Sequence, residues 1–168
     1  MGCKDLSEDG GKMIVHSKAF DDNGMIPQKY TGFGEDVSPE FILTDRPENT
    51  VSIAISLDDL DVPFCKEFNH WIIWNIPGTE VIPERLPKGA VIQEPIYACQ
   101  GIAWGKNGYR GPKQPFFIRN MHRYVFTFYA LDCQLKLSET ADKKALIDAM
   151  QGHILAEAKI LGKYKRDR

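Results

Sequence analysis

The chain contains no apolar run approaching the roughly 20 residues that a membrane-spanning helix requires, and its first residues lack the apolar core of a signal peptide. No integral membrane segment is expected, and the chain reads as cytoplasmic. An excess of one charge sign is missing too: 21 Lys and Arg stand against 23 Asp and Glu, a formal net charge of -2. That balance argues against a nucleic-acid partner. The four cysteines, Cys3, Cys65, Cys99 and Cys133, form no CxxC pair, so neither a structural zinc site nor a disulfide framework is suggested and the thiols read as reduced. There is no G-x-S-x-G elbow to support acyl transfer, and Ser7 stands one position too late for Met1-Gly2-Cys3 to open a myristoylation signal. No cofactor is expected.

What is present fits one domain: 168 residues, 43% hydrophobic and 26% charged, enough to bury a sizeable core. Residues 1–12, small or charged with Gly10-Gly11, read as a flexible arm or an expression remnant, and a single domain is expected over 13–168. Asp21-Asp22-Asn23-Gly24 is turn chemistry and suggests a hairpin between Ile14-Val15 and Met25-Ile26. Residues 30–40 read as an ordered loop.

Val51-Ser52-Ile53-Ala54-Ile55-Ser56-Leu57-Asp58 alternates large apolar with small or polar residues, which predicts a strand. In Asn69-His70-Trp71-Ile72-Ile73-Trp74-Asn75-Ile76-Pro77 both parities carry bulky groups, with His70, Ile72, Trp74 and Ile76 expected on one face and Trp71 and Ile73 on the other. A strand apolar on both faces belongs in the middle of a covered sheet. Prolines at 83, 87 and 95 make residues 79–95 an irregular connection or a set of short edge strands. The Gly- and Pro-rich stretch Trp104 to Pro115 reads as a functional loop, followed by a strand over His122 to Leu131. Helical spacing predicts one helix capped by Ser138 or Thr140 and running to Met150, then, after a break at Gly152, a second over His153 to Leu161.

His70 and His122 each open a greasy strand, where an ionisable group is costly to desolvate and needs a partner or a task. Asp58-Asp59-Leu60-Asp61 closes a third strand. A lone histidine at a strand end is more often a structural group, and the shared context of two such histidines with an acidic cluster is what singles them out. If the three strand ends converge, three chemistries are open: an anion site with a carboxylate orienting the imidazoles, a divalent metal held by two histidines and one carboxylate, or general-base hydrolysis.

The blocks Ser56-Leu57-Asp58-Asp59-Leu60-Asp61-Val62-Pro63, His70 to Pro77, Gly108-Tyr109-Arg110-Gly111-Pro112 and His122-Arg123-Tyr124-Val125-Phe126 resemble, in content, order and spacing, the phosphatidylethanolamine-binding protein family. Ser38-Pro39 and Gly152-His153-Ile154-Leu155-Ala156, taken as a closing helix, resemble its bacterial and archaeal, Raf-kinase-inhibitor-like branch. The resemblance covers the chain from about Met13 onward. It implies a mainly β fold, a large antiparallel sheet packed on a smaller one in a sandwich-like arrangement, with peripheral and C-terminal helices. It further implies a non-catalytic pocket for a phosphate or a phosphoethanolamine-like headgroup, with Asp59, His70 and His122 as its polar core and Tyr109, Gly111, Pro112 and Tyr124 as wall positions. Gly111 would allow the ligand to approach the backbone closely. Regulation of a protein partner and homodimers are also implied; kinase or protease inhibition through a protein interface and a metal-dependent or hydrolytic enzyme are the alternatives. Two departures from the family pattern stand out. Leu60 and Val62 replace proline and alanine, and Gln114 followed by Phe116-Phe117-Ile118-Arg119-Asn120 makes a more aromatic lip, expected to narrow the opening or change ligand choice.

Overall fold

A computed structural model describes residues 12–167, so the expected arm lies outside the described residues but for Lys12. The strands, in chain order, are β1 (Ile14–His16), β2 (Gly24–Met25), β3 (Phe41–Thr44), β4 (Ser52–Asp59), β5 (Phe68–Pro77), β6 (Val81–Ile82), β7 (Val91–Ile92), β8 (Ala98–Gln100), β9 (Ile102–Ala103), β10 (Lys106–Asn107), β11 (His122–Leu131) and β12 (Ile154–Tyr164). One α-helix, α1 (Lys143–Met150), precedes the last strand. A seven-stranded sheet runs β2-β12-β11-β4-β5-β8-β7, and a three-stranded sheet runs β1-β3-β6. The large sheet is mixed, because β2 pairs parallel to β12 while every other pairing in it is antiparallel.

Two apolar layers explain why the central strands are buried on both faces. On one side Ile53, Ile55, Leu57, Trp71, Phe126 and Phe128 pack against Val15, Phe41, Leu43 and Ile82 of the small sheet. On the other, Ala54, Ile72, Trp74 and Leu131 meet Leu146 and Met150 of α1. All eight residues of β4 are therefore buried despite their alternating pattern.

The C-terminal helix expected over residues 153–161 is instead β12. Ala, Glu, Lys and Leu favour helix, yet from Ala156 to Tyr164 every even position is small or apolar, with Glu157, Lys159 and Lys163 between them and Leu161 the one exception, and ten register pairs with β11 override a weak propensity. The expected hairpin near Asn23 is also absent: β1 pairs with β3, and β2 crosses to β12. The turn itself forms, with Asn23 at φ 65°. Helix α1 begins at Asp142, whose carboxylate accepts the Ala145 N–H at 2.9 Å, while the hydroxyls expected to cap it, Ser138 and Thr140, bond each other.

Candidate functional site

Three strand ends converge on one pocket. Antiparallel pairing sets Tyr124 of β11 opposite Asp59 of β4, and His122, two residues earlier, projects from the same face. His70 reaches that face by a different device. Along β5, Trp71 pairs with Leu57 but Asn69 pairs with Asp58, so His70 is an extra residue in a β-bulge. Bulges bend a strand and re-aim a side chain. A second register shift, between Ile53 and Ile55, lies beside Asn75, which is held at φ 57°. These two shifts correct the expected parity: Ile76 lies in the layer of Trp71 and Ile73, and His70 lies beside Tyr124 of that layer, ring centroids 5.5 Å apart.

The acidic cluster divides its labour in the same way. Asp58 points to the opposite face, where Lys143 of α1 donates to it at 2.9 Å. Asp61 pairs with the Arg123 guanidinium through two bonds at 2.9 Å. Only Asp59 reaches the pocket.

Hydrogen bonds assign the histidine tautomers. His122 Nδ1 lies 2.7 Å from Asp59 Oδ2, with both side chains almost fully buried, and Asp59 Oδ1 accepts the Asp61 N–H at 2.9 Å. A carboxylate accepts and does not donate, so Nδ1 carries the hydrogen and Nε2 of the neutral ring presents a lone pair. That Nε2 is buried and has no hydrogen-bond partner among the described residues. His70 Nδ1 sits 2.9 Å from the Arg110 carbonyl, another pure acceptor, which assigns the same tautomer. Burial is the largest influence on His70 and holds its pKa below the usual histidine range, outweighing the opposing pull of the Arg110 carbonyl and of Asp59. Burial, reinforced by Asp59, pushes the Tyr124 phenol far above its ordinary value, so it remains a neutral O–H.

The pocket encloses about 200 Å³, below the roughly 300–1,000 Å³ of sites for drug-sized molecules. Asp59, His70, His122 and Tyr124 form its floor. Phe68 and Trp104 make one wall, edge-on to each other at 5.6 Å and both edge-on to His70. Val62, Pro115 and Ile118 supply further apolar lining, and Lys113 and Gln114 complete it.

Pattern reading missed Trp104 and Phe68 as wall residues. Trp104 occupies the tip of the β9–β10 hairpin, at φ 49° followed by Gly105 at φ 75°. Two successive left-handed residues define a two-residue hairpin turn, where Asn-Gly is the usual choice and a bulky residue is strained. Arg110 holds it there: its guanidinium lies 4.0 Å from the indole centroid and donates to the Trp104 carbonyl at 2.8 Å. One residue thus clamps the wall with its side chain and orients His70 with its carbonyl. The available signal was an aromatic at a two-residue turn.

Tyr109, Gly111 and Pro112 lie outside the pocket lining. Tyr109 is a core residue whose O–H donates to the Tyr30 carbonyl at 2.6 Å. Gly111 N–H donates to Asp36 at 2.7 Å, and the Pro112 carbonyl accepts from Gly32 at 2.8 Å. Glycine at 111 has an internal requirement: a Cβ there would collide with the Tyr30 carbonyl and crowd the Tyr109 hydroxyl. The lip also differs from expectation. Phe116 and Phe117, each 70% exposed, do not line the opening. Gln114 pins the lip from within, donating to the carbonyls of Asn120 and Tyr164 and accepting from the Arg166 N–H.

Asp59, His70 and His122 do not bring three ligand atoms within 4.8 Å of one another; among the described residues Asp132, Cys133 and His153 do. Both Asp59 oxygens are already engaged, so Asp59 acts here as a partner of His122. No helix in the described residues is long and apolar enough to cross a membrane.

Comparison with known proteins agrees with this architecture. The family model for phosphatidylethanolamine-binding protein matches residues 16–165. A UPF0098 protein of Pyrococcus abyssi is 40% identical over 167 residues, spanning 99% of this chain and 92% of its own. One from Methanothermobacter thermautotrophicus is 41% identical over 162 residues, spanning 92% and 99%. Among solved structures, a Chlamydia trachomatis protein described as a homolog of phosphatidylethanolamine-binding protein superposes with a TM-score of 0.82 at 33% identity, covering 94% of this chain and 99% of its own. An Escherichia coli protein described as a member of the mammalian form of that family shares the fold, with a TM-score of 0.83 at 22% identity over 93% of this chain and 99% of its own.

Proposed function

The chain belongs to the phosphatidylethanolamine-binding protein family, and from that premise we propose that its pocket binds small phosphate esters without transforming them. The observation that carries this reading is the His122 Nε2: buried, unpartnered, and set as a lone-pair acceptor by Asp59 through the other ring nitrogen. A buried polar atom without a partner costs about 1–3 kcal/mol, a penalty that a ligand hydrogen bond removes.

The pocket supplies acceptors and one negative charge where a phosphate dianion needs donors. Such a ligand therefore binds with a proton, either its own as a monoanion or one taken up by an imidazole. Once protonated, a histidine Nε2 donates a charge-assisted hydrogen bond to a phosphoryl oxygen. The Tyr124 O–H is a further donor, and Lys113 brings a cation to the edge. An ammonium group, as in phosphoethanolamine, suits the aromatic wall of Phe68 and Trp104. No Ser, Thr or Cys is among the lining residues, so the hydroxyl and thiol groups most used in acyl transfer are not part of it.

Titration calorimetry with inorganic phosphate and with O-phosphoethanolamine, at about pH 8 and about pH 5.5, tests the reading. Affinity is expected to rise as the pH falls, and buffers of different ionisation enthalpy should report net proton uptake near neutrality. Equal affinity at both ends of that range, or binding without proton uptake, sinks it.

A further inference from the structure

A second cluster of ligating side chains lies at the opposite end of β11. His122 begins that strand and Asp132 follows its last residue, which puts the cluster roughly 30 Å from the pocket at about 3.3 Å per residue. Here His153 Nδ1 lies 2.8 Å from Asp132 Oδ1, and the Cys133 thiol completes a trio whose ligand atoms all fall within 4.8 Å of one another. We infer that Asp132, Cys133 and His153 form a three-ligand site for a borderline-soft divalent cation of the zinc type, with a fourth position open to water.

Donor chemistry selects the ion class. A thiolate, an imidazole and a carboxylate suit Zn²⁺, Co²⁺ or Ni²⁺, whereas Mg²⁺ and Ca²⁺ take oxygen donors throughout. The backbone is already in place, since the Asp132 N–H donates to the His153 carbonyl at 3.1 Å, continuing the β11–β12 ladder, and the Cys133 carbonyl accepts the Ser52 hydroxyl. Gly152, at φ 80°, turns the chain out of α1 so that His153 arrives opposite Asp132. Tetrahedral zinc bonds of about 2.0–2.1 Å to nitrogen and oxygen place those ligand atoms about 3.3 Å apart, so replacing the hydrogen bond by an ion opens it by only about half an ångström. A metal binds the thiolate form, so uptake of the ion releases the Cys133 thiol proton to solvent. Exposure of Asp132 and His153 leaves the ion an open entry path.

The test is titration of chelator-treated protein with Co²⁺. One equivalent is expected to produce a thiolate-to-cobalt charge-transfer band, Zn²⁺ should abolish it by displacement, and Mg²⁺ and Ca²⁺ should not. Cys133→Ser should remove the band, His153→Ala should weaken Co²⁺ binding at least about tenfold, and Cys65→Ser, at an exposed thiol, should change neither. Because His153 lies at the surface, its variant carries the test even if Cys133→Ser folds poorly. No thiolate band in the unmodified chain, a band that survives Cys133→Ser, or affinity unaffected by His153→Ala overturns the assignment. None of these outcomes depends on the phosphate-ester reading of the distant pocket.

Discussion

Replacing Asp59 by Asn separates the two roles this carboxylate plays. The carboxylate accepts from His122 Nδ1 at 2.7 Å and from the Asp61 N–H at 2.9 Å. An amide satisfies both neighbours in one orientation only: its oxygen accepts from Asp61, and its NH₂ donates to His122 Nδ1. That arrangement moves the imidazole hydrogen to Nε2, so the neutral ring becomes a donor to the pocket. Exchanging a charge-assisted bond of about 1.5–3 kcal/mol for a neutral one of about 0.5–1.5 kcal/mol costs about 1–1.5 kcal/mol, or about 2–6 °C in Tm for a chain of this length. Binding moves the other way. A ligand oxygen hydrogen-bonded at about 2.8 Å beyond the ring sits roughly 8 Å from the carboxylate, where like charges repel by about 2 kcal/mol at an effective dielectric of about 20. Asp59→Asn is therefore expected to bind phosphate about 10–30-fold more tightly near pH 8, at low salt, and to depend less on pH. Calorimetry measures the affinity and side-chain ¹⁵N NMR the His122 tautomer. A folded variant that binds phosphate more weakly at that pH, or one whose His122 keeps its hydrogen on Nδ1, refutes the reasoning.

Three further outcomes are expected. The buried His70 has a folded pKa below its unfolded value, so the folded state holds fewer protons and stability falls as pH drops below the ordinary histidine value of about 6.5 toward the folded one; thermal melts should show this, His70→Gln should flatten it, and 10 mM-scale phosphate should offset it (concentration about 10 mM, chosen for mass action). A profile that gains stability on acidification would contradict the assignment. Trp104→Gly relieves a left-handed strain of about 1–3 kcal/mol but removes a wall, so Tm should hold or rise while phosphoethanolamine dissociates faster in stopped-flow measurements; unchanged dissociation would remove the indole from the site. Gly111→Ala forces a Cβ into the Tyr30 carbonyl and should cost about 3 kcal/mol or more in chemical denaturation, against a smaller change if the position merely clears space for a ligand.

The central strands were legible because their patterns are local. Continuous apolar sequence in β5 announces burial on both faces, and the order β4-β5-β8 on one side with β11 beyond β4 places it inside the sheet. Helix α1 was legible from its spacing, though its cap was not, since Asp142, Ser138 and Thr140 are equally suitable residue types. The last strand was misread because its Ala, Glu, Lys and Leu content suits a helix in isolation, and only the unsatisfied edge of β11 makes a strand the better choice.

Site residues divide along the same line. His70, His122 and the cluster Asp58-Asp59-Leu60-Asp61 stand out in the sequence as polar groups at the ends of apolar strands, while the choice of Asp59 within that cluster and the addition of Tyr124 come from the family resemblance. Tyr109, Gly111 and Pro112 sit in an equally suggestive loop, but the groups they contact, Tyr30, Gly32 and Asp36, lie some 75 or more residues earlier, and those contacts turn them away from the pocket. The amino-acid sequence by itself determined which groups are ionisable, which strands are greasy enough to be central, and that one carboxylate and two imidazoles would need partners. Which face each group occupies was decided only in the folded sheet, because one extra residue in a strand reverses every side chain beyond it. The bulge at His70 cannot be seen without the partner strand that skips it.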